Sequence, residues 1–394
     1  MKYRLLSTTC EYSKDRISVE EVNENNYIST ENMLPNRGGV ETASSVAEGK
    51  TFPAYKEGDI LLSNIRPYFK KIWFADKKGG CSNDVLVLKT NKSVDKRFLY
   101  YVLSDNNFFN YSTVTSKGTK MPRGSKTAIM KYLVPDVDMP TQKRIADILS
   151  AYDDLIENNN RRIALLEKAA QELYKEWFVR FRFPGHETAK FENGLPVGWE
   201  IRKIGDIARV KSGYAFKSEW WSDEGVPVIK IKDIQNNTVD FSDLSKVSET
   251  HALLARNFFV KEGDLLIAMT GATIGKLAIV PFSDEKLVVN QRVGKFFLGD
   301  DPVSAVPFLY CTLQQNWLQE LILMVAGSNA AQPNISPFDI EKIKVIYNEN
   351  VVAAFNKKAS DYISQILLLK KKNQNLAKQR DLLLPRLMSG KLEV

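Results

Sequence analysis

The sequence predicts a mixed α/β protein: two α/β domains, each followed by a long amphipathic helix, in halves related by an internal duplication. Three observations predict this. First, Lys56–Ser63 reads KEGDILLS and Lys261–Ala268 reads KEGDLLIA, 205 residues later. FLYY at Phe98 is matched by FLYC at Phe308, and SKGTKMPRGSKTAIMKYLVP at Ser116 by VAGSNAAQPNISPFDIEKIKVI at Val325. Matches in one order at offsets of 205 to 210 have the period of a whole domain plus a helix, not of a solenoid repeat. Second, both domains are rich in short β-type runs bounded by turn residues. Third, each half ends in a long segment whose apolar positions alternate spacings of three and four.

In order along the chain, residues 1–139 form the first domain. GDILLSNIRPYF, KIWFA and DVLVLK read as strands, and DKRFLYYVLSDNNFFNYS reads as one amphipathic helix. Pro140 suits the first turn of a helix, where no amide is required. The central helix region spans 140–185. Its pattern runs unbroken to about Phe181, and FPG at Phe183–Gly185 stops it. The second domain, 186–350, opens on the turn-rich boundary ENGLPVGWE (Glu192–Glu200). The C-terminal region, 351–394, holds a last helix over about Val351–Met388, with Gly390 just beyond it. Pro385 lacks the amide that a helix interior needs, which predicts a kink or break there.

The seam of the first helix runs through Leu149, Tyr152, Ile156, Asn159, Ile163, Leu166, Ala170, Leu173 and Trp177. That of the second runs through Ala359, Tyr362, Ile366, Leu369, Asn373, Leu376, Arg380, Leu383 and Leu387, each offset by 210. Sustained heptads of this kind predict that the two helices pack on each other as a coiled coil. A single Asn in each seam, Asn159 and Asn373, suits a buried polar group that fixes register. Two separate amphipathic helices, one per domain, remain the alternative.

Composition excludes several classes. At 394 residues with 44% hydrophobic and 26% charged residues, the chain suits two or more globular domains. The 55 Lys+Arg against 47 Asp+Glu give a net charge of +8, compatible with a polyanionic partner. Three dispersed cysteines, Cys10, Cys81 and Cys311, suggest a reducing compartment and no disulfide framework. No signal-type leader and no run of about 20 apolar residues occurs, so a cytoplasmic protein without a membrane association is expected.

GATIGK at Gly271–Lys276 superficially suggests a phosphate loop. Its glycines are separated by three residues rather than four, and Leu277 stands where a Ser or Thr would reach a metal ion. DLLIAM before it and KLAIV after it are both β-rich, so a turn between strands is expected. The two histidines, His186 and His251, have no metal-ligand company at usable spacing, and no nucleophile elbow or nucleotide fingerprint occurs. His186 is expected in an exposed boundary loop and His251 at a helix start. The paired acids Asp153 and Asp154 are expected on the solvated outer face of the first helix. Nothing in the sequence supports catalysis by this chain alone.

The order of domain, helix, domain, helix resembles the specificity subunit of type I restriction–modification systems, over the whole chain. MPTQKRIADILSAYDDLIENNNRRIALLEKAAQELYKEWFVRF is similar to that family's central region, LPVGWEIRKIGDIARVKSGYAFKS to the opening of its second target-recognition domain, and LAKQRDLLLPRLMSGKL to its C-terminal region. KEGDLLIAMTGATIGKLAIV is similar to a stretch within its recognition domains. Before the second helix this chain has VIYNENVVAAFNKKA where the family usually carries a Pro-rich lead-in like LVPDVDMPTQKRIA. The resemblance implies two target-recognition domains reading the halves of an asymmetric, bipartite site in double-stranded DNA, with an antiparallel helix pair as spacer. It implies no cofactor in this chain. S-adenosylmethionine would belong to separate modification subunits, and ATP and Mg to a separate restriction and motor subunit. The alternatives are a fused methyltransferase or nuclease, which would carry catalytic motifs, and a coiled-coil adaptor without DNA specificity.

DNA contacts are expected from two loops at the same place in the repeat: Lys117, Lys120, Arg123 and Lys126 in the first, and Ser328, Asn329, Gln332 and Asn334 in the second. Phosphates call for Lys and Arg, base edges for Arg, Lys, Asn and Gln. Arg66 and Lys70 in SNIRPYFKK, and Lys211, Tyr214 and Lys217 in VKSGYAFKS, complete the candidates.

Overall fold

A computed structural model describes residues 2–327 and 333–394. The chain forms two compact units: Met1–Ile156 with Asn375–Val394, and Glu157–Gln374. Each unit therefore combines one α/β domain with part of each long helix.

The two units repeat one topology. In the first, an antiparallel sheet has the order Cys10–Tyr12, Val85–Thr90, Ile60–Ser63, Ile72–Phe74. In the second, the order is Arg209–Ser212, Val293–Phe297, Leu265–Ala268, Leu277–Ile279. The strands are short and fully buried at the centre, as ILLS and LLIA dictate. A second sheet in each unit contains one parallel pairing, Tyr27–Ile28 with Gly80–Cys81 and Val228–Ile229 with Val288–Val289. Each domain is closed by a strand near its start pairing with its last, Tyr3–Leu5 with Leu133–Pro135 and Glu200–Lys203 with Lys344–Tyr347. KEGD is a turn in both domains: Asp59 and Asp264 each accept a bond from the amide three residues earlier, at 2.9 Å. GATIGK is the connection between two antiparallel strands, with Gly271 and Gly275 at φ 70° and 81°.

The segment after Asp95 is two helices, Lys96–Ser104 and Asn106–Val114, rather than one. Asp105 sits between them in extended backbone (φ −68°, ψ 145°), and its carboxylate accepts from the Asn107 amide at 2.7 Å. Its preference for capping outweighs continuation of the helical pattern. The other domain breaks at the same place, between Pro302–Leu313 and Asn316–Val325.

The first long helix is α-helical over Met139–Tyr174, with the Asp138 carboxylate accepting from the Thr141 amide at 3.0 Å. It does not run regularly to Phe181. Lys175–Val179 is a π-turn, which lets the consecutive residues Trp177 and Phe178 both be buried. The second long helix, Glu349–Met388, continues through Pro385 without the expected break. Only its last turn follows the proline, and Leu384 just before it and Leu387 and Met388 after it are buried in the first unit's core, which outweighs one missing bond. His251 lies in Glu249–Leu254 near its start, and His186 is half-buried beside Phe183.

In the second unit the helix segments pack antiparallel, with Asn159 donating to Asn373 at 2.8 Å and Phe178 meeting Phe355 at 5.3 Å between centroids. In the first unit the same direction holds: Asp153 meets Arg380 at 2.5 Å, and Leu149 shares a core with Leu384 and Leu387. None of the 18 seam positions is exposed. Asp153 departs from its expected place on the outer face. It is two-thirds buried, accepts from the Tyr101 hydroxyl at 2.6 Å and pairs with Arg380, whereas Asp154 is exposed beside Arg97.

Candidate nucleic-acid interface

The sheet of each unit ends in a small frame of main-chain hydrogen bonds that brings together three segments distant in sequence. In the first unit, the Asn64 amide donates to the Asp84 carbonyl (2.8 Å), the Gly124 amide to the Asn64 carbonyl (2.9 Å) and the Arg66 amide to the Pro122 carbonyl (2.8 Å). In the second, Met269 donates to Arg292 (3.0 Å), Ile335 to Met269 (3.0 Å) and Gly271 to Pro333 (3.1 Å). Bond by bond, the frames are the same. The sheet registers, Ser63 opposite Val85 and Ala268 opposite Val293, make Asp84 equivalent to Arg292. The bridges Ile65–Arg123 and Thr270–Asn334 make Arg123 equivalent to Asn334.

In the first unit this frame joins the two candidate segments. Lys117, Lys120, Arg123 and Lys126 are all exposed, and Lys126 begins the short helix Lys126–Ile129 capped by Ser125. Arg66 and Lys70 are half-buried and both in left-handed backbone, φ 49° and 53°. Burial, and then the nearby Arg37 charge, pulls the Lys70 ammonium below the usual lysine range. Between them the rings of Tyr68 and Phe69 stand in solvent, 4.8 Å apart. Asn64 Oδ1 and Arg66 Nε are buried without a hydrogen-bond partner among the described residues. Arg123 is held by the Asp84 carboxylate at 3.1 Å. Cationic side chains, exposed rings and unpaired polar atoms at one sheet end form a surface suited to a polyanion.

In the second unit the frame borders an open cleft lined by Ser212, Thr270, Gln291, Arg292 and Asn334. Gln291, Arg292 and Asn334 are exposed. Lys211 is exposed on the strand that carries Ser212, its ammonium 5.3 Å from the Phe297 ring. Tyr214 and Lys217 belong to a neighbouring aromatic group instead: Tyr214 packs on Phe216 at 5.1 Å, and Lys217 lies 5.3 Å from Trp220, which stacks on His251 at 4.3 Å. Ser328, Asn329 and Gln332 lie outside the described residues.

The sequence reading missed Asp84, Gln291 and Arg292. A signal for them existed, since NDV at Asn83 and NQRV at Asn290 follow the matched KEGD segments at nearly the same distance.

Two homologous, chemically different surfaces on a duplicated scaffold define a protein that recognises two different stretches of one kind of partner. A family model described as the type I restriction modification DNA specificity domain matches residues 8–168 and 196–378. The chain is 27% identical over 376 residues to the MjaVIII specificity subunit of Methanocaldococcus jannaschii, covering 93% of this chain and 86% of that protein. It is 24% identical to the HindI specificity subunit of Haemophilus influenzae, covering 93% and 94%. The fold is shared with a type I restriction–modification S subunit from M. genitalium, at TM-score 0.54 and 18% identity over 98% and 96% of the two chains. This chain belongs to the type I restriction–modification specificity family, and its role is DNA sequence specificity. The adaptor alternative is not favoured.

Proposed function

We propose that this chain is the non-catalytic reader of a type I complex. Each domain reads one half of an asymmetric, bipartite double-stranded site. Separate modification subunits methylate adenine with S-adenosylmethionine, and a separate motor subunit uses ATP and Mg to translocate and cut. A base can be methylated only out of the stack, so the reader's task is to place the catalytic subunits over the target base. The observation that carries this reading is the duplicated hydrogen-bond frame with different side chains on it, Asp84 and Arg123 in one domain and Arg292 and Asn334 in the other.

The test is to co-express the chain with its modification subunits and map methylated positions across the host DNA. One bipartite motif with unlike halves is expected. The purified chain alone is expected to show no methyl transfer, nucleotide hydrolysis or cleavage. Robust activity from it, with partner subunits excluded, would sink the assignment of chemistry to the partners.

A further inference from the structure

The two frames match bond for bond but differ in their side chains, and two of the differing places lie together. One is the residue just before the central strand, Asp84 or Arg292. The other is the bridge residue, Arg123 or Asn334. Each domain thus presents one arginine at this spot, from opposite sides of the bridge. Arg123 is braced by the Asp84 carboxylate at 3.1 Å, and both side chains retain solvent access. Arg292 is exposed, makes no ion pair among the described residues and opens onto the cleft with Asn334. Thr270 Oγ1, at the cleft wall, is buried without a partner among the described residues, where the first domain has the apolar Ile65. The backbone is held constant while the donor and acceptor pattern changes, and that is what reading two sequences with one scaffold requires.

We propose that residues 84 and 123 in the first domain, and 292 and 334 in the second, are matched base-reading pairs. Arg123, oriented by Asp84, and Arg292 each read a guanine, and Asn334 reads an adenine. This rests on the DNA-reading function proposed above. An arginine fork donates two bonds that match O6 and N7 of guanine, and an asparagine amide matches N6 and N7 of adenine. A carboxylate beside the fork fixes its plane and turns a general cation into a directional reader. The neighbouring Lys117, Lys120 and Lys126 are left to phosphates, which position the duplex without specifying it.

The experiment maps methylated sites in cells that carry the assembled complex with wild-type chain, Arg292→Ala, Arg292→Lys, Asn334→Ala, Arg123→Ala or Asp84→Asn. Arg292→Ala and Arg292→Lys should each make one guanine position of one half-site degenerate, with discrimination there falling about tenfold to a hundredfold. The lysine variant keeps the charge, so its loss isolates the fork geometry. Asn334→Ala should relax an adenine in that same half-site. Arg123→Ala and Asp84→Asn should relax one guanine of the other half-site and leave the first intact. The proposal is overturned if the motif is unchanged, if both half-sites relax together, if the relaxed pair is not the named one, or if Arg292→Lys abolishes methylation outright. A wild-type complex with no bipartite motif would instead overturn the DNA-reading function itself.

Discussion

Arg66 occupies left-handed backbone at φ 49°, ψ 67°, and the equivalent residue of the other domain is Gly271 at φ 70°. A side chain there costs about 1 kcal/mol relative to glycine, so the first domain carries strain that its duplicate avoids. A phosphate contact from Arg66 would be a reason to keep it. Arg66→Gly is therefore expected to leave stability unchanged or raise it by up to about 1 kcal/mol, yet to weaken DNA binding by the complex and flatten its salt dependence by about one phosphate contact. Denaturant melts and salt titrations of binding would check this. Unchanged binding would make Arg66 a structural oddity only. A second contrast concerns Asp233, 4% exposed, whose carboxyl is raised to about 6 by burial. It accepts from the Lys230 amide at 2.8 Å, and the equivalent in the first domain, Asn32, accepts from Ser29 at 2.7 Å with an uncharged amide. Because the folded pKa lies above the ordinary aspartate value of 3.8, the native state binds more protons between those limits, and stability falls as pH rises through that window. Asp233→Asn should thus stabilise the fold by about 1–2 kcal/mol at about pH 7.5 and by nothing at about pH 4. Urea unfolding at both values is the measurement, and an equal effect at both would remove the titration argument.

At the scale of elements, the helix pair uses two kinds of contact at equivalent places. In the first unit Tyr101, Asp153 and Arg380 form a polar trio, with Arg380 also bonded to Asp381 and Asp381 facing Arg37 at 3.9 Å. Burial, offset by the Asp153 and Asp381 charges, leaves the Arg380 guanidinium more firmly protonated than usual. At the same repeat positions the second unit has Cys311, Ile363 and Ala170, all buried in one apolar core. Asp153→Ile alone should cost about 2–3 kcal/mol, because it leaves the Tyr101 hydroxyl unpaired and the partly buried Arg380 with Asp381 as its one remaining carboxylate. The triple replacement Tyr101→Cys, Asp153→Ile, Arg380→Ala, which copies the second unit, should cost clearly less than the sum of its parts. Additive losses in denaturant unfolding would count against a coupled trio. The seam itself was legible in the sequence, since alternating spacings of three and four encode a helix face directly, and Asn159 does meet Asn373. The trio was hidden because Asp153 lies one residue from a seam position and its partners are 52 and 227 residues away. The same holds for the candidate interface. Its loops could be found by the repeat, but Asp84 and Arg292 reach them only through cross-strand bonds that no local pattern announces. Asp105 and Pro385 were misjudged for the opposite reason: local propensity was read where capping and tertiary burial decide.

At the scale of the whole molecule, both long helices pass from one compact unit to the other without interruption, the first after Ile156 and the second after Gln374. No described helix is long and apolar enough to cross a membrane, and the two long ones are amphipathic along their shared seam. If they set the distance between the two DNA-reading surfaces, lengthening both by one heptad should lengthen the unread spacer and nothing else. Seven residues inserted after Ile156 and seven after Gln374 keep the seam in phase and leave every hydrogen bond inside each unit in place. The added length is about 10.5 Å, with a rotation about 20° short of two full turns. At about 3.4 Å per base pair the spacer should grow by about three base pairs. Mapping methylated sites made by the complex carrying this insertion is the direct measurement. Both half-site sequences should be unchanged, because the loop frames at Asn64–Gly124 and Met269–Ile335 lie far from either insertion in sequence. An insertion in one helix alone should destroy function, since the Asp153–Arg380 contact of the first unit and the Asn159–Asn373 contact of the second would no longer be in phase along both helices. An unchanged spacer in the doubly lengthened protein, with methylation intact, would show that something other than the helix pair sets the distance.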